Sequence, residues 1–347
     1  MANAQLNFQN ILVIDLGQLG DVVLSLPALR AIRRKFPYGN ITVLAGKIPS
    51  EVIDLSGSAD EIIPVDKVQL RQSSKIWSIW QILRLVKDVR SRKFDLIIDL
   101  HSLYETNLLA FFSGTKYRLL ANRESRSLDF LGNFDSRPPL EDKAMHIVDR
   151  YFDVLKPLAV DASEKKIILS PSSVDLDYVD REYFGSLVPG SLKMVGLFPG
   201  AGNPSRCWSL TKFAELAAKL SKNGLRPVVF LGPEEALLKD RVIEGFPAET
   251  IVCDKLTISQ LIAALSRIPV FVANDTGPLH LALAVGTPTV VLLYETAPKT
   301  FMPESGTLFL IQNKQIDDIQ VDEVYGAVLS ALKLSVVDEK LMLEKAV

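Results

Sequence analysis

One stretch restricts the fold more than any other. Val270 to Ala273 is a short apolar run, and Asn274-Asp275-Thr276-Gly277-Pro278-Leu279-His280 follows it directly. The chain then reads Leu281-Ala282-Leu283-Ala284-Val285-Gly286-Thr287-Pro288, and a second apolar run covers Thr289 to Leu293. This pattern predicts a strand, a tight turn, a short helix and a strand. Asp275 or Thr276 can cap the helix, and Pro278 suits its first turn, where a missing N–H costs nothing. The small residues Ala282, Ala284 and Gly286 let such a helix lie close to a sheet. The N–H groups at its start, around Thr276 and Gly277, then sit at the carboxyl edge of the sheet, where α/β folds bind phosphates.

The same alternation runs through the whole chain. Ile11 to Ile14 predicts a strand, followed by the loop Gly17-Gln18-Leu19-Gly20-Asp21 and a helix from Val22 to Phe36 with a basic end. Pro27 either bends that helix or marks its beginning. Further strands are expected at Ile41–Ala45, Glu61–Val65, Asp95–Asp99 and Lys116–Leu120. Lys75 to Arg92 predicts a helix with Ile76, Trp80, Leu83 and Val86 on its apolar side. Lys75, Arg84, Lys87 and Arg90 form a solvated face or a basic lip for an anionic partner or membrane. Asn122 to Asp142 reads as a long, mobile loop, Met145 to Leu158 as a helix, and Val160 to Ser191 as an irregular connection. A second series of strands and helices then begins at Met194 and closes with an amphipathic helix from Val321 to Leu334. A chain of 347 residues is long for one core, so two Rossmann-like α/β domains are expected, 1–170 and 171–347. The last helix is free to pack back on the first domain.

Composition narrows the classes. A formal net charge of −2 argues against a nucleic-acid partner. Cys207 and Cys253 form no disulfide or metal pattern. The first ten residues lack an apolar core, and no apolar run reaches the roughly 18 residues of a membrane helix. The expectation is a cytoplasmic protein with room for peripheral contact at a membrane surface.

Several side chains could carry chemistry, each beside a structural alternative. Asp21 follows Gly20 at a strand-to-helix turn and is either a base or a helix cap. Arg206, in the loop Gly200-Ala201-Gly202-Asn203-Pro204-Ser205-Arg206-Cys207-Trp208, is either a phosphate contact or a solvated cation. His280 is a donor to a ligand or a buried core histidine. Glu234 and Glu235 follow a strand end, where acids either accept from ribose hydroxyls or cap a helix. His101, after the strand ending at Asp99, could line a second binding surface. Asp175-Leu176-Asp177 spells a DxD but lies in the linker and is taken as chance. No residue set closes a metal site.

Ile11–Pro27, Asp95–Leu103, Phe198–Phe213 and Val272–Leu293 together resemble glycosyltransferase family 9, the heptosyltransferases, in order and spacing. The most specific parts are Leu19-Gly20-Asp21-Val22-Val23 and Asn274 to His280. The resemblance implies a GT-B fold, α/β with two Rossmann-like domains facing each other across a cleft, acceptor first and nucleotide-sugar second. It implies inverting, metal-independent transfer of heptose from ADP-heptose to lipopolysaccharide inner core, an anionic lipid-linked glycan, with no cofactor. The work would be done at the cytoplasmic face of the inner membrane. It places the catalytic base on Asp21 and a phosphate contact on Arg206; beside these, the residues' own positions make Asp275, Thr276, Gly277, His280 and Glu234 candidate donor contacts and Gly20 and His101 the candidate acceptor side. The chain departs from the family at Asp15, where a Lys or Arg is usual. It departs again at Tyr294-Glu295-Thr296-Ala297-Pro298, where Gly-Pro-Thr is usual. Without the resemblance, an epimerase or hydrolase of nucleotide-sugars, or a non-catalytic binding protein, accounts for the same residues.

Overall fold

The computed structural model describes residues 7–67, 69, 74–134, 136–185, 194–203, 206–302 and 306–345. Pro204 and Ser205 lie outside them, as do the side chains of Lys75 and Ile76 and those of the last helix beyond residue 334. The chain forms two compact units, Met1–Ile167 and Ile168–Val347.

The first unit runs β1 (Asn10–Asp15), α1 (Leu19–Lys35), β2 (Asn40–Gly46), α2 (Ser50–Ser56) and β3 (Glu61–Val65). It continues through α3 (Lys75–Ser91), β4 (Leu96–Asp99), α4 (Tyr104–Phe112), β5 (Tyr117–Leu120) and α5 (Ile147–Leu155). Its five parallel strands lie in the order β3-β2-β1-β4-β5. Strands Ile11–Ile14, Val43–Ala45 and Leu96–Ile98 are buried without alternation, as expected for parallel strands covered on both faces. Leu85, Val86 and Val89 of α3 and Leu109 and Ala110 of α4 pack on Leu12, Ile14, Leu44 and Ile97. Those two helices therefore cover one and the same face.

The second unit runs α6 (Ser173–Val179), β6 (Met194–Phe198), α7 (Leu210–Lys222), β7 (Arg226–Phe230), α8 (Lys239–Gly245) and β8 (Ile251–Cys253). It ends with α9 (Ile258–Arg267), β9 (Phe271–Asn274), α10 (Gly277–Ala284), β10 (Thr289–Tyr294), β11 (Leu308–Asn313) and α11 (Val321–Lys345). Six parallel strands lie in the order β11-β10-β9-β6-β7-β8. Trp208 is fully buried and packs edge-on against Phe213, with ring centroids 5.0 Å apart. Its Nε1 donates to the Ile319 carbonyl at 3.1 Å, which ties the loop after β6 to the approach of α11. Val324, Val328 and Ala331 carry α11 into the same core.

Four expectations change. Helix α1 begins at Leu19, not Val22, and runs through Pro27, which is buried within it. The segment from Asn122 to Asp142 is tethered rather than loose. Asn122 bridges to Leu140, Glu141 pairs with both Arg123 and Arg150, and Phe134 packs on Tyr117. The stretch after Val160 contains α6, capped by the Ser172 hydroxyl accepting from Asp175 N–H at 3.1 Å. The DxD aspartate thus has a local capping role. Finally, Trp80 and Leu83 are 66% and 61% exposed, while Val86 faces the core as expected, joined there by Leu85 and Val89.

The Trp208 indole fills a closed site and satisfies a buried carbonyl. Trp208→Ala is expected to cost about 3–5 kcal/mol. Trp208→Phe, which leaves the Ile319 carbonyl to Lys212 Nζ alone, is expected to cost less, about 0.5–1.5 kcal/mol for the lost hydrogen bond. Urea denaturation followed by near-UV circular dichroism measures both, and equal stability of wild type and Trp208→Phe would remove the hydrogen bond from this account.

Candidate active site

Strand order locates the two candidate sites. In an open parallel sheet the crevice lies where the strand order reverses, outside the carboxyl ends. In the first sheet that point falls between β1 and β4, and in the second between β6 and β9. Pairing of Ile14 with Asp99, and of Phe198 with Ala273, brings the neighbouring strand ends level in each case. The loops leaving these four strands carry Asp21, His101, Arg206 and Thr276.

In the first unit, Asp15 ends β1 with no exposed surface. Its carboxylate accepts from Ser25 Oγ at 2.5 Å and from Gly17 N–H at 3.2 Å. Burial pushes its pKa up to about 6, against the lowering effect of those hydrogen bonds. Lys67 Nζ donates to the Leu16 carbonyl at 2.7 Å and the Gly17 carbonyl at 3.2 Å, clamping the same turn from the end of β3. A Cβ on Gly17 would stand 2.6 Å from Asp21 Cβ, so only glycine lets Asp21 lie this close to the turn. Asp21 itself is the third residue of α1, half-buried, and its Oδ2 accepts from Gln18 N–H at 2.9 Å. The capping alternative is therefore realised in a modified form. Gln18 is the N-cap residue, and Asp21 closes the first turn from inside the helix. One oxygen of the carboxylate holds the turn, which fixes the side chain's direction without burying it.

The neighbouring strand end repeats the arrangement. Asp99 is fully buried and accepts from Ser102 N–H at 2.7 Å and Asn107 Nδ2 at 2.8 Å. Burial raises its pKa to about 6. Ser102 adopts φ +39°, a strained conformation for a serine that the Asp99 hydrogen bond helps to hold. His101 stands between these two residues. Burial, then the charges of Arg123, Lys67 and Arg126, lower its pKa to about 4, so its imidazole is neutral at pH 7. Arg123 Nη1 also donates to the His101 carbonyl at 2.6 Å. The result is a neutral histidine inside a cationic surround, at the rim that carries Asp21.

In the second unit one side chain organises the site. Asn274, buried at the end of β9, accepts from Trp208 N–H at 3.0 Å. Its Nδ2 donates to the Pro199 and Gly200 carbonyls at 3.2 and 3.1 Å. Both ends of the loop carrying Arg206 are thereby fastened beside the start of α10. The Arg206 N–H donates to the Asn203 carbonyl at 2.9 Å, and its half-buried guanidinium forms no ion pair among the described residues. Thr276 is the N-cap residue of α10, yet its side chain makes no capping bond. Its Oγ1 is buried with no hydrogen-bond partner among the described residues. His280 is buried on the first turns of that helix, and Asp275 lies just before it. Of the two glutamates, Glu234 is exposed on the 3-10 turn Pro233–Leu238. Glu235 is the buried one, accepts from Gly232 N–H at 3.0 Å, and is raised in pKa by burial. It sits directly over Gly200, where an added Cβ would fall within 2.1 Å of Glu235 Oε1.

Sequence reasoning passed over Asn274 as a turn residue and did not single out Lys67. A polar side chain immediately after a fully apolar strand was the available signal for Asn274. Nothing in the local pattern marks Lys67, whose partners lie about fifty residues upstream.

Comparison with known proteins follows the same lines. The profile of glycosyltransferase family 9 (heptosyltransferase) matches residues 82–321. The chain is 24% identical over 294 residues to lipopolysaccharide heptosyltransferase 3 of Escherichia coli, covering 83% of this chain and 84% of that one. It is 21% identical over 291 residues to the lipopolysaccharide core heptosyltransferase OpsX of Haemophilus influenzae, covering 82% and 78%. Among solved structures, the family 9 glycosyl transferase from Veillonella parvula superposes with a TM-score of 0.81 at 23% identity, covering 94% and 98%. The E. coli ADP-heptose lps heptosyltransferase II gives 0.77 at 20% identity, covering 94% and 99%. The fold is thus GT-B, built of two Rossmann-like units. With the profile spanning most of its length, the chain belongs to glycosyltransferase family 9, the heptosyltransferases.

Proposed function

We propose that this glycosyltransferase transfers heptose from ADP-heptose to an anionic, lipid-linked core glycan of the lipopolysaccharide type, with inversion at the anomeric carbon and without a metal. Membership in the family favours transfer over epimerisation, hydrolysis or simple binding. The donor nucleotide is supported by the similarity to the E. coli ADP-heptose lps heptosyltransferase II, and to the E. coli heptosyltransferase WaaC solved with ADP. The acceptor class is supported by the names of the lipopolysaccharide heptosyltransferases.

The observation that carries the reading is the donor-side pair on the second unit. A guanidinium with no ion pair and a buried hydroxyl with no partner stand on loops fastened together by Asn274. Unsatisfied groups of this kind are costly unless a ligand completes them. A diphosphate does so: its oxygens accept from Arg206, from Thr276 Oγ1 and from the N–H groups at the start of α10 around Gly277. Arg206 then offsets the charge that develops as the diphosphate leaves. Asp275 and His280 flank the same helix start as further donor contacts. Glu234 at the mouth of the 3-10 turn, with Glu235 behind it, supplies carboxylates for sugar hydroxyls.

On the first unit, Asp21 takes the proton from the attacking acceptor hydroxyl. Its second oxygen remains for this while the first holds the Gln18 N–H. Gly20 keeps the adjoining backbone open, and neutral His101 can hydrogen-bond the acceptor as donor or acceptor. Lys67 and Arg126 add positive charge there that favours an anionic glycan. No helix among the described residues is long and apolar enough to cross a membrane, so contact with the inner membrane's cytoplasmic face would be peripheral.

Three outcomes follow. Asp21→Asn keeps an acceptor for Gln18 N–H but removes the base. Turnover should fall by roughly 10²–10⁴-fold, while affinity for ADP, read by calorimetry, stays within error. Wild-type turnover in this variant would exclude Asp21 as the base. Arg206→Gln should weaken ADP binding by about 10–100-fold, the worth of a charge-assisted hydrogen bond. ADP should also stabilise the wild type against heat more than UDP or GDP, and equal shifts would remove the nucleotide assignment. Third, the raised pKa values of Asp15 and Asp99 mean that the folded state binds protons more tightly than the unfolded one. Their contribution therefore destabilises progressively as pH rises from about 4 to about 6 and stays constant above. Asp99→Asn should flatten that part of the stability-against-pH curve in urea titrations. An unchanged slope would show that Asp99 is ionised normally.

A further inference from the structure

We infer that the outer side of the α3–α4 layer is a docking surface for an anionic lipid bilayer. On α3 the outward stripe at i, i+3, i+4 and i+7 is Trp80, Leu83, Arg84 and Lys87, all exposed. On α4 the corresponding stripe is Tyr104, Leu108, Phe111 and Phe112, again all exposed. Both helices turn their opposite sides into the same core, so the two stripes belong to one layer and one surface. Phe111 and Phe112 pack edge to face at 5.5 Å, and the Arg118 guanidinium lies 5.6 Å from the Phe111 ring.

Two features single out the occupant. First, scattered exposed apolar residues are ordinary, whereas a run of large aromatics along adjacent helices marks an interaction site. Trp and Tyr with a polar end, and Lys or Arg with a long apolar stem, suit the headgroup boundary of a bilayer. Second, the charge on this surface is predominantly positive. Arg84 and Lys87 form no ion pair among the described residues, nor does Arg90. Of the acids nearby, Asp88 pairs with Arg92, and Glu105, exposed in the first turn of α4, is the one acid set against these three cations. A second copy of the chain joined through the same face would have one exposed acid, Glu105, to set against Arg84, Lys87 and Arg90 of each chain. Anionic headgroups satisfy the cations while the aromatic side chains enter the acyl boundary. The surface gives a lipid-linked acceptor, as proposed above, a place to remain in its membrane while it is used.

The test is co-sedimentation of the full chain with vesicles of phosphatidylethanolamine and phosphatidylglycerol in equal parts, against vesicles of phosphatidylcholine alone. Neither donor nor acceptor is present, so the result is independent of Asp21 and of the sugar transferred. The wild type should bind the anionic vesicles and release them at high salt. Arg84→Gln with Lys87→Gln should lower the partition coefficient by about 25-fold, roughly fivefold per cation removed. Leu83→Ser with Phe112→Ser should lower it as well. These side chains are largely exposed, and far-UV circular dichroism establishes that the variants fold. Leu237→Ser, at a still more exposed apolar residue of the second unit, should bind as wild type. Equal binding to both vesicle types, wild-type binding by the Arg84/Lys87 variant, or a concentration-dependent dimer dispersed by Phe112→Ser without vesicle binding would each overturn the assignment.

Discussion

The amide of Asn274 is the interaction on which the donor-side arrangement depends. It is buried, and it bonds to backbone groups of the loop that leaves β6: the Trp208 N–H and the Pro199 and Gly200 carbonyls. The loop cannot form a regular ladder, because it must carry Arg206 out over the sheet edge. Its polar backbone would otherwise be buried without partners, at a cost of about 1–3 kcal/mol for each group. A single side chain at the adjacent strand end provides a donor and an acceptor to both ends of the loop. Trp208 then locks the loop's exit into the core through Ile319. The loop is held where the strand order reverses, and so is the start of α10.

The first unit solves a similar problem with charge instead of an amide. Asp15 and Asp99 end neighbouring strands, and each accepts backbone and side-chain hydrogen bonds from the turn that follows it. Burying a carboxylate is expensive, which is why both are pushed towards protonation. What the cost secures is two rigid turns, one bearing Asp21 and one bearing His101. Lys67, two residues beyond β3, adds a third restraint by donating to the carbonyls of Leu16 and Gly17. The unusual acid at position 15 thus has a structural role within the turn, facing Ser25 and not the surface. The two units reach comparable ends by different means. Each uses polar groups at a strand terminus to fix the loop that a ligand would meet.

Much of this was legible from the chain alone, and the exceptions have physical reasons. The buried parallel strands announce themselves as unbroken apolar runs, and the turn from Asn274 to Pro278 reads directly as a helix start. Strand β11 was missed although Leu308–Ile311 is an apolar run; four such residues followed by Gln312 and Asn313 do not by themselves tell an edge strand from a helix turn. Helix α4 was missed because it is apolar on both sides: Leu109 and Ala110 face inward while Leu108 and Phe112 face outward, which erases the helical period. The same ambiguity misplaced Trp80 and Leu83, whose hydrophobicity reflects an outer surface and not the core. At the candidate sites, residue types pointed to Asp21, Arg206 and Thr276. The partners of Asp21 within the turn, the strap made by Asn274 and the clamp made by Lys67 depend on contacts distant in sequence, which periodicity does not encode.

The central claim is that the start of α10 and the loop after β6 together hold the nucleotide diphosphate. Hydrogen–deuterium exchange of the full chain, with and without ADP, tests it most directly. Saturating ADP should slow exchange in peptides spanning 200–208 and 275–283, with the backbone around Gly277 most protected. Protection confined to the first unit, or none in either of these two segments, would contradict it.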